Sequence, residues 1–294
     1  MPELPEVETI RLGLQKYIVG KTIEDVEVRL PKIFSGDKKS IVGAKITDVK
    51  RFGKGLVIDL DNDYSIAAHI KLTGQFVYRD SETSKLKLSP KVGLALPNKF
   101  THVTFKLQET SNKRQEAYLY YNDIRQFGWI KVVKSDKLKE ISFFKDLGPE
   151  PAVAKAMAGK APLNLNKFSE IISQSNTAIK VLLLDQKKMS GIGNIYANDG
   201  LLDAQIDPRR KAKTLTKTEI KKLYNSLLKV LRKGLETGGA SELNFVNALG
   251  QEGKYQRHFL AYAQDGKPCF RCKTIIKKVF LGGRGTYFCP VCQK

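Results

Sequence analysis

Apolar and polar residues alternate with a period of two through much of the first half of the chain, and with a helical period through much of the second. Val7, Ile10 and Leu14 come first, at the three-to-four spacing of one short amphipathic helix. Eight short runs rich in β-branched and aromatic residues follow, at 22–29, 44–50, 56–60, 65–70, 75–78, 102–107, 117–121 and 129–133. Turn punctuation such as Gly53-Lys54-Gly55 and Asp61-Asn62-Asp63 lies between them. So many short strands predict a β-sandwich or barrel with one packed helix. Leu147-Gly148-Pro149-Glu150-Pro151, followed by an Ala/Lys stretch, reads as a linker.

Beyond the linker the spacing predicts helices. Segments 168–172 and 178–184 are amphipathic, and 194–202 follows a glycine-rich turn. Thr216-x-x-Glu219 is a capping box that opens a long helix with Ile220, Leu223, Leu227 and Val230 on one face. Gly238-Gly239 ends it, and a glycine- and polar-rich segment runs on to Lys267. The pattern as a whole is an α+β chain of two domains, and 294 residues suffice for both.

Charge narrows the partners. The chain carries 51 basic against 30 acidic residues, a net +21, which favours a polyanion, either nucleic acid or an anionic membrane surface. No apolar run reaches transmembrane length, and Met1-Pro2-Glu3-Leu4-Pro5-Glu6 lacks the basic-then-apolar order of a signal peptide.

All four cysteines sit near the end, as Cys269-x-x-Cys272 and Cys289-x-x-Cys292, with 16 residues between the pairs. This spacing fits a four-cysteine zinc site, in which the metal replaces a core that so short a segment cannot build. Two disulfides are the alternative, disfavoured because nothing else in the chain suggests an oxidising compartment. The residues between the pairs read as a β-hairpin whose tip, Gly282-Gly283-Arg284-Gly285, carries an arginine suited to phosphate.

Pro2 follows the initiator Met, and a small second residue normally lets that Met be removed. The freed proline would carry a secondary α-amine, which titrates far below lysine, so part of it is nucleophilic at neutral pH. Attack on a sugar aldehyde carbon would give an iminium, an electron sink suited to expelling a phosphate. Glu3 and Glu6 flank it at a helix start, where carboxylates are favoured. Taken alone, Pro and Glu residues opening a helix are ordinary.

The run Pro2-Glu3-Leu4-Pro5-Glu6-Val7-Glu8-Thr9 resembles the N-terminal signature of the formamidopyrimidine-DNA glycosylases, bacterial base-excision repair enzymes for oxidised purines. Three further matches occur in family order: Asn122-Asp123-Ile124-Arg125-Gln126-Phe127-Gly128, then Gly191-Ile192-Gly193-Asn194-Ile195-Tyr196-Ala197, then Gly282-Gly283-Arg284-Gly285-Thr286 before Cys289. The resemblance spans essentially the whole chain. It implies an N-terminal β-sandwich with an N-terminal helix, then a helix-two-turn-helix domain with a zinc-finger β-hairpin. The implied division is a catalytic domain at 1–135, a linker at 136–160, the helix-two-turn-helix domain at 161–239, a lesion-recognition loop region at 240–265 and the zinc finger at 266–294.

By that resemblance Pro2 is the Schiff-base nucleophile and Glu3 the general acid/base. Lys54 serves β-elimination and phosphate contact, and Arg284 grips phosphates and serves δ-elimination. Asn194 binds backbone phosphate, at a helix opening suited to anions. A glycosylase must extrude its target nucleotide and fill the gap. Leu72, Arg125 and Phe127 match the void-filling positions, with Leu72 where a methionine is usual, and His69 and Lys180 match DNA-contacting positions. Three positions depart from the family pattern: Phe100 replaces a histidine and removes a phosphate donor, and Ser175 stands where a DNA-contacting lysine is usual. Leu243 replaces a basic residue in the segment leading to the lesion-capping loop, which puts the preference for 8-oxoguanine over formamidopyrimidines in doubt.

The implied function is a bifunctional glycosylase and abasic-site lyase that removes oxidised purines and cuts by β,δ-elimination. It would act as a monomer on double-stranded damaged DNA in the bacterial cytoplasm, associated with the nucleoid, away from membranes. One structural zinc and no redox or organic cofactor are expected. Alternatives are an endonuclease VIII-like enzyme for oxidised pyrimidines, a non-catalytic damaged-DNA-binding protein, and an RNA-binding zinc-ribbon protein.

Overall fold

Helix α1 (Leu4–Ile18) buries Val7, Ile10 and Leu14, the stripe that its spacing predicts, and extends it to Ile18. A computed structural model of the chain describes residues 1–108, 116–153 and 162–294. They divide into one unit of Met1–Lys145 with Thr237–Lys254, and another of Asp146–Glu236 with Tyr255–Lys294.

In the first unit the strands form two sheets. One, in the order β1-β7-β8-β6, joins β1 (Thr22–Val28), β6 (Gly74–Arg79), β7 (Thr101–Gln108) and β8 (Glu116–Asp123), all antiparallel. The other, β2-β9-β5-β4-β3, joins β2 (Phe34–Ser35), β3 (Ile46–Phe52), β4 (Gly55–Leu60), β5 (Tyr64–His69) and β9 (Trp129–Lys134). All eight expected strands are present. The extra β2 pairs parallel with β9 and, at two residues, is too short to leave a periodic signal. Val103, Phe105 and Leu107 from one sheet share a single core with Leu56, Ile58 and Ile66 from the other and with the apolar face of α1. The sandwich, not the barrel, is therefore the form adopted.

After α2 (Ser142–Lys145) the chain enters the second unit. The Ala/Lys stretch of the expected linker lies largely outside the described residues. The segment expected as a loop region at 240–265 is shared between the units, because Phe245 and Ala248 belong to the sandwich core while Tyr255 bonds to Asp199.

The second unit holds α3 (Leu165–Ser173), α4 (Ile179–Leu183), α5 (Asn194–Ala204) and α6 (Lys217–Glu236). It ends in the hairpin β10 (Lys277–Leu281) and β11 (Arg284–Phe288). The Thr216–Glu219 capping box forms as read, with the Thr216 N–H 2.8 Å from Glu219 Oε2. Asp199 on α5 is fully buried and accepts from the Ala261 and Tyr262 N–H groups and the Tyr255 hydroxyl, at 2.8–3.0 Å. Burial pushes its carboxyl up to about 6 despite these bonds. Among the described residues, no helix is long and apolar enough to cross a membrane.

Candidate active site and nucleic-acid interface

Pro2 and Glu3 are buried where α1 begins. Glu6, one turn on, uses both carboxylate oxygens: Oε2 accepts from the Glu3 N–H at 2.8 Å and Oε1 from the Ala240 N–H at 2.7 Å. Gly239, at φ +82°, leaves room for this carboxylate; a β-carbon there would lie 2.9 Å from Glu6 Cγ. Gly238-Gly239 thus does more than end a helix, since it opens the seat that anchors the start of α1.

Lys54 occupies the two-residue turn between β3 and β4, closed by the Phe52–Gly55 pair. A surface lysine at a hairpin tip would be exposed, yet Lys54 is 3% exposed. Beside it, Arg51 is also buried. Its Nε donates to Glu8 Oε2 at 2.7 Å and its Nη1 to the Gly53 carbonyl at 3.0 Å. Burial alone would raise the Glu8 carboxyl, but Arg11 and Arg51 together hold it below the usual carboxylate range.

His69, the last residue of β5, packs edge-on against Phe143 with ring centroids 4.5 Å apart. Its Nδ1 accepts the Lys71 N–H at 2.9 Å, so the proton of the neutral ring sits on Nε2. Burial, with the charges of Lys71 and Lys54, pushes it down to about 3. At neutral pH it can therefore give a hydrogen bond but no charge.

The three void-filling candidates stand on one platform. Thr73, next to half-buried Leu72, donates its hydroxyl to Asp123 and accepts the Arg125 N–H at 3.0 Å. Asp123, fully buried, also accepts the Gly128 N–H at 2.8 Å and so shapes the loop from 124 to 128. Phe127 is 55% exposed, with the Arg125 guanidinium 4.9 Å from its ring centre. Core packing, the ordinary reading of Phe127, does not apply. Leu243 is similarly exposed, in the stretch after Gly239.

In the second unit the ligand sulfurs of Cys269, Cys272, Cys289 and Cys292 all lie within 4.8 Å of one another. Tetrahedral sulfurs about 2.3 Å from zinc would be about 3.8 Å apart, so the cluster fits that ion. The nearest cross-pair sulfurs, 3.4 Å apart at Cys272 and Cys289, are too distant for the disulfide alternative. Cys269 and Cys289 pack with Leu202, Ala261, Ile276 and Tyr287 in a core too small to fold without a further tie.

Gly282 and Gly283, both at positive φ, make the tight turn that the hairpin needs, and exposed Arg284 begins the return strand. Three side chains hold this tip from below. Lys180 Nζ donates to the Gly285 carbonyl at 2.8 Å and to Thr286 Oγ1 at 2.7 Å. Asn194, the first residue of α5, donates its amide to the same Gly285 carbonyl at 3.1 Å, and Asn198 accepts the Tyr287 N–H at 2.8 Å. Lys180, expected at a DNA-contacting position, has no exposed surface. Its ammonium bonds to the hairpin, and the sequence alone could not reveal this because burial of a lysine depends on the tertiary contact.

Three family models match in order: the formamidopyrimidine-DNA glycosylase N-terminal domain over residues 1–130, its H2TH domain over 147–245, and the zinc finger found in FPG and IleRS over 266–294. The formamidopyrimidine-DNA glycosylase of Pelotomaculum thermopropionicum is 40% identical over 300 residues, covering 100% of this chain and 99% of the relative. That of Streptococcus mutans is 36% identical over 298 residues, covering 100% of each. Among solved structures, a mutant Lactococcus lactis FPG in complex with Fapy-dG containing DNA matches with a TM-score of 0.84 at 31% identity, covering 100% of both chains. Wild-type L. lactis Fpg with an oxidised pyrimidine containing DNA gives 0.83 at 32%, again over 100% of both. Motif order and fold agree over the full length, and the chain belongs to the formamidopyrimidine-DNA glycosylase family.

Proposed function

We propose that this protein removes oxidised purines, formamidopyrimidines and 8-oxoguanine, from duplex DNA and then cuts the strand at the resulting site. The carrying observation is the buried Pro2-Glu3 pair at the head of α1, anchored through Glu6, in a chain of this family. The net charge of +21 supports a polyanionic partner.

With Met1 removed, the Pro2 nitrogen attacks C1′ of the flipped deoxyribose. An N–C1′ bond forms and the glycosidic bond breaks, its electron pair leaving with the base, which takes up the proton that the Pro2 nitrogen gives up. Glu3 supplies a proton to the ring oxygen as the sugar opens to the iminium. Loss of a C2′ proton expels the 3′ phosphate, and loss of a C4′ proton then expels the 5′ phosphate. Water finally hydrolyses the iminium and returns the free amine. Lys54 and Arg284 neutralise the departing phosphates in this scheme, while Leu72, Arg125 and Phe127 fill the vacated stack. Neutral His69 gives a hydrogen bond, and Asn194 sits at a helix opening suited to phosphate. Zinc on the four cysteines would act only as a crosslink that holds the Arg284 hairpin.

Borohydride reduction in the presence of an abasic or 8-oxoguanine duplex tests the reading. A covalent adduct is expected from wild-type protein and its loss from Pro2→Gly; Glu3→Gln should lose base release. Damage binding by correctly processed protein without any adduct would instead mark a non-catalytic binder. A second substrate class is favoured by one observation, the L. lactis structure with an oxidised pyrimidine containing DNA. Comparing 8-oxoguanine opposite cytosine with thymine glycol ranks the two.

A further inference from the structure

We propose that Arg51, held by Glu8, is a positioning residue for Lys54, an inference that rests on the role given to Lys54 above. Glu8 lies on α1, five residues beyond Glu3, and Arg51 lies three residues before Lys54. The Arg51 guanidinium bridges the two elements, with one nitrogen on the Glu8 carboxylate and another on the carbonyl of Gly53, within the turn that carries Lys54. The side chains of the pair are 1% and 4% exposed, so water does not loosen it.

Cohesion alone does not account for charge at this place. A buried ion pair often adds little stability over apolar residues of the same volume, because both ions must be stripped of water. What the pair supplies is direction. A planar guanidinium with bonds on two edges fixes the turn against the helix in distance and in orientation. Glu8 also accepts from Arg11 Nε and Nη2, at 2.8–3.1 Å, so its own carboxylate cannot swing.

Packing fixes the turn as well. A β-carbon on Gly55 would come within 2.7 Å of the Phe143 ring and 2.8 Å of Phe144, so these rings lie directly on the backbone after Lys54. Phe144 also meets Phe52, before the turn, edge-on at 5.6 Å. The turn that carries Lys54 is thus held by aromatic rings at Phe52 and Gly55 and, at Gly53, by an ion pair rooted in the helix that begins beside Pro2 and Glu3. Displacement of about 1 Å is enough to cost a reaction of this kind heavily.

The test is a double-mutant cycle on an abasic duplex, with Arg51→Gln, Lys54→Ala and the double variant. Single-turnover strand cleavage, KM and borohydride-trapped adduct are measured, with thermal unfolding alongside. Arg51→Gln is expected to slow cleavage by about tenfold or more while KM changes by less than about threefold, and the double variant should be no slower than Lys54→Ala. Arg51→Lys, which keeps the charge but not the planar fork that fixes orientation, should recover only part of the rate. A double variant slower than Lys54→Ala by the full Arg51→Gln factor, or wild-type rates in Arg51→Gln, overturns the proposal. If Arg51→Gln does not fold, Glu8→Gln takes its place in the same cycle with the same expectation. Failure of the underlying reading looks different, since Lys54→Ala would then cleave at the wild-type rate.

Discussion

The Glu6 carboxylate accepts the backbone N–H of Ala240 at 2.7 Å, across 234 residues of sequence. Through this bond the start of α1, with Pro2 and Glu3, is tied to the stretch of chain that rejoins the sandwich after α6. Gly239→Ala should break the tie, because its β-carbon would strike Glu6 and its φ of +82° is strained for alanine. A loss of about 1–3 kcal/mol in denaturant unfolding is expected, with slower adduct formation. Unchanged stability and trapping would refute the role of the contact.

Lys180 and Arg284 should part company in their salt response. Arg284 is exposed, so Arg284→Ala is expected to lower the slope of log K against log salt by about one phosphate contact. Lys180 is buried under the hairpin, so Lys180→Met should cost about 1–3 kcal/mol of stability, weaken binding, and leave that slope unchanged. Titrations of a DNA duplex at several salt concentrations separate the two effects.

Phe127 is more than half exposed, and Phe127→Ala should change unfolding free energy by no more than about 0.5 kcal/mol. Base release from an 8-oxoguanine duplex should nevertheless slow, because the wedge that replaces lost stacking is gone. A large stability loss would return Phe127 to the core.

Cys289→Ser should release zinc, measured by elemental analysis, and weaken DNA binding. Cys289 belongs to the small core beside α5, while the sandwich has a core of its own, so the β-rich circular dichroism should persist. Intact affinity in a zinc-free variant would contradict the assignment.

His69 predicts an acid-sensitive native state. Its ordinary value of 6.5 falls to about 3 in the fold, so above pH 6.5 it is neutral in both states and contributes nothing. As pH falls below 6.5 the unfolded chain takes the proton and the native chain does not, and stability drops by about 1.4 kcal/mol per pH unit. Relative to His69→Gln, the wild type should lose about 2 kcal/mol between pH 7 and pH 5 in denaturant unfolding. An equal pH dependence in both would show that the ring is protonated in the native state.

Much of this was legible in the residues. Alternation placed all eight main strands, and the Thr216–Glu219 capping box opened α6 where expected. Spacing alone paired the cysteines, because two short knuckles can close on one ion wherever the rest of the chain lies. The four ordered motifs gave the family. Illegible were the partners of Glu6, Glu8, Arg51 and Asp123, which the fold brings together from other parts of the chain, and the burial of Lys180.

Sequence by itself determined the elements, the zinc knuckles and the chemistry available at Pro2, since these depend on neighbours a few residues apart. Only the tertiary structure decided which charges are buried and what they hold: Glu6 on Ala240, Arg51 on Glu8, Lys180 beneath the arginine hairpin. The physical reason is that a charge becomes a fixed strut only when water is excluded around it, and exclusion is a property of packed surfaces brought together from distant parts of the chain.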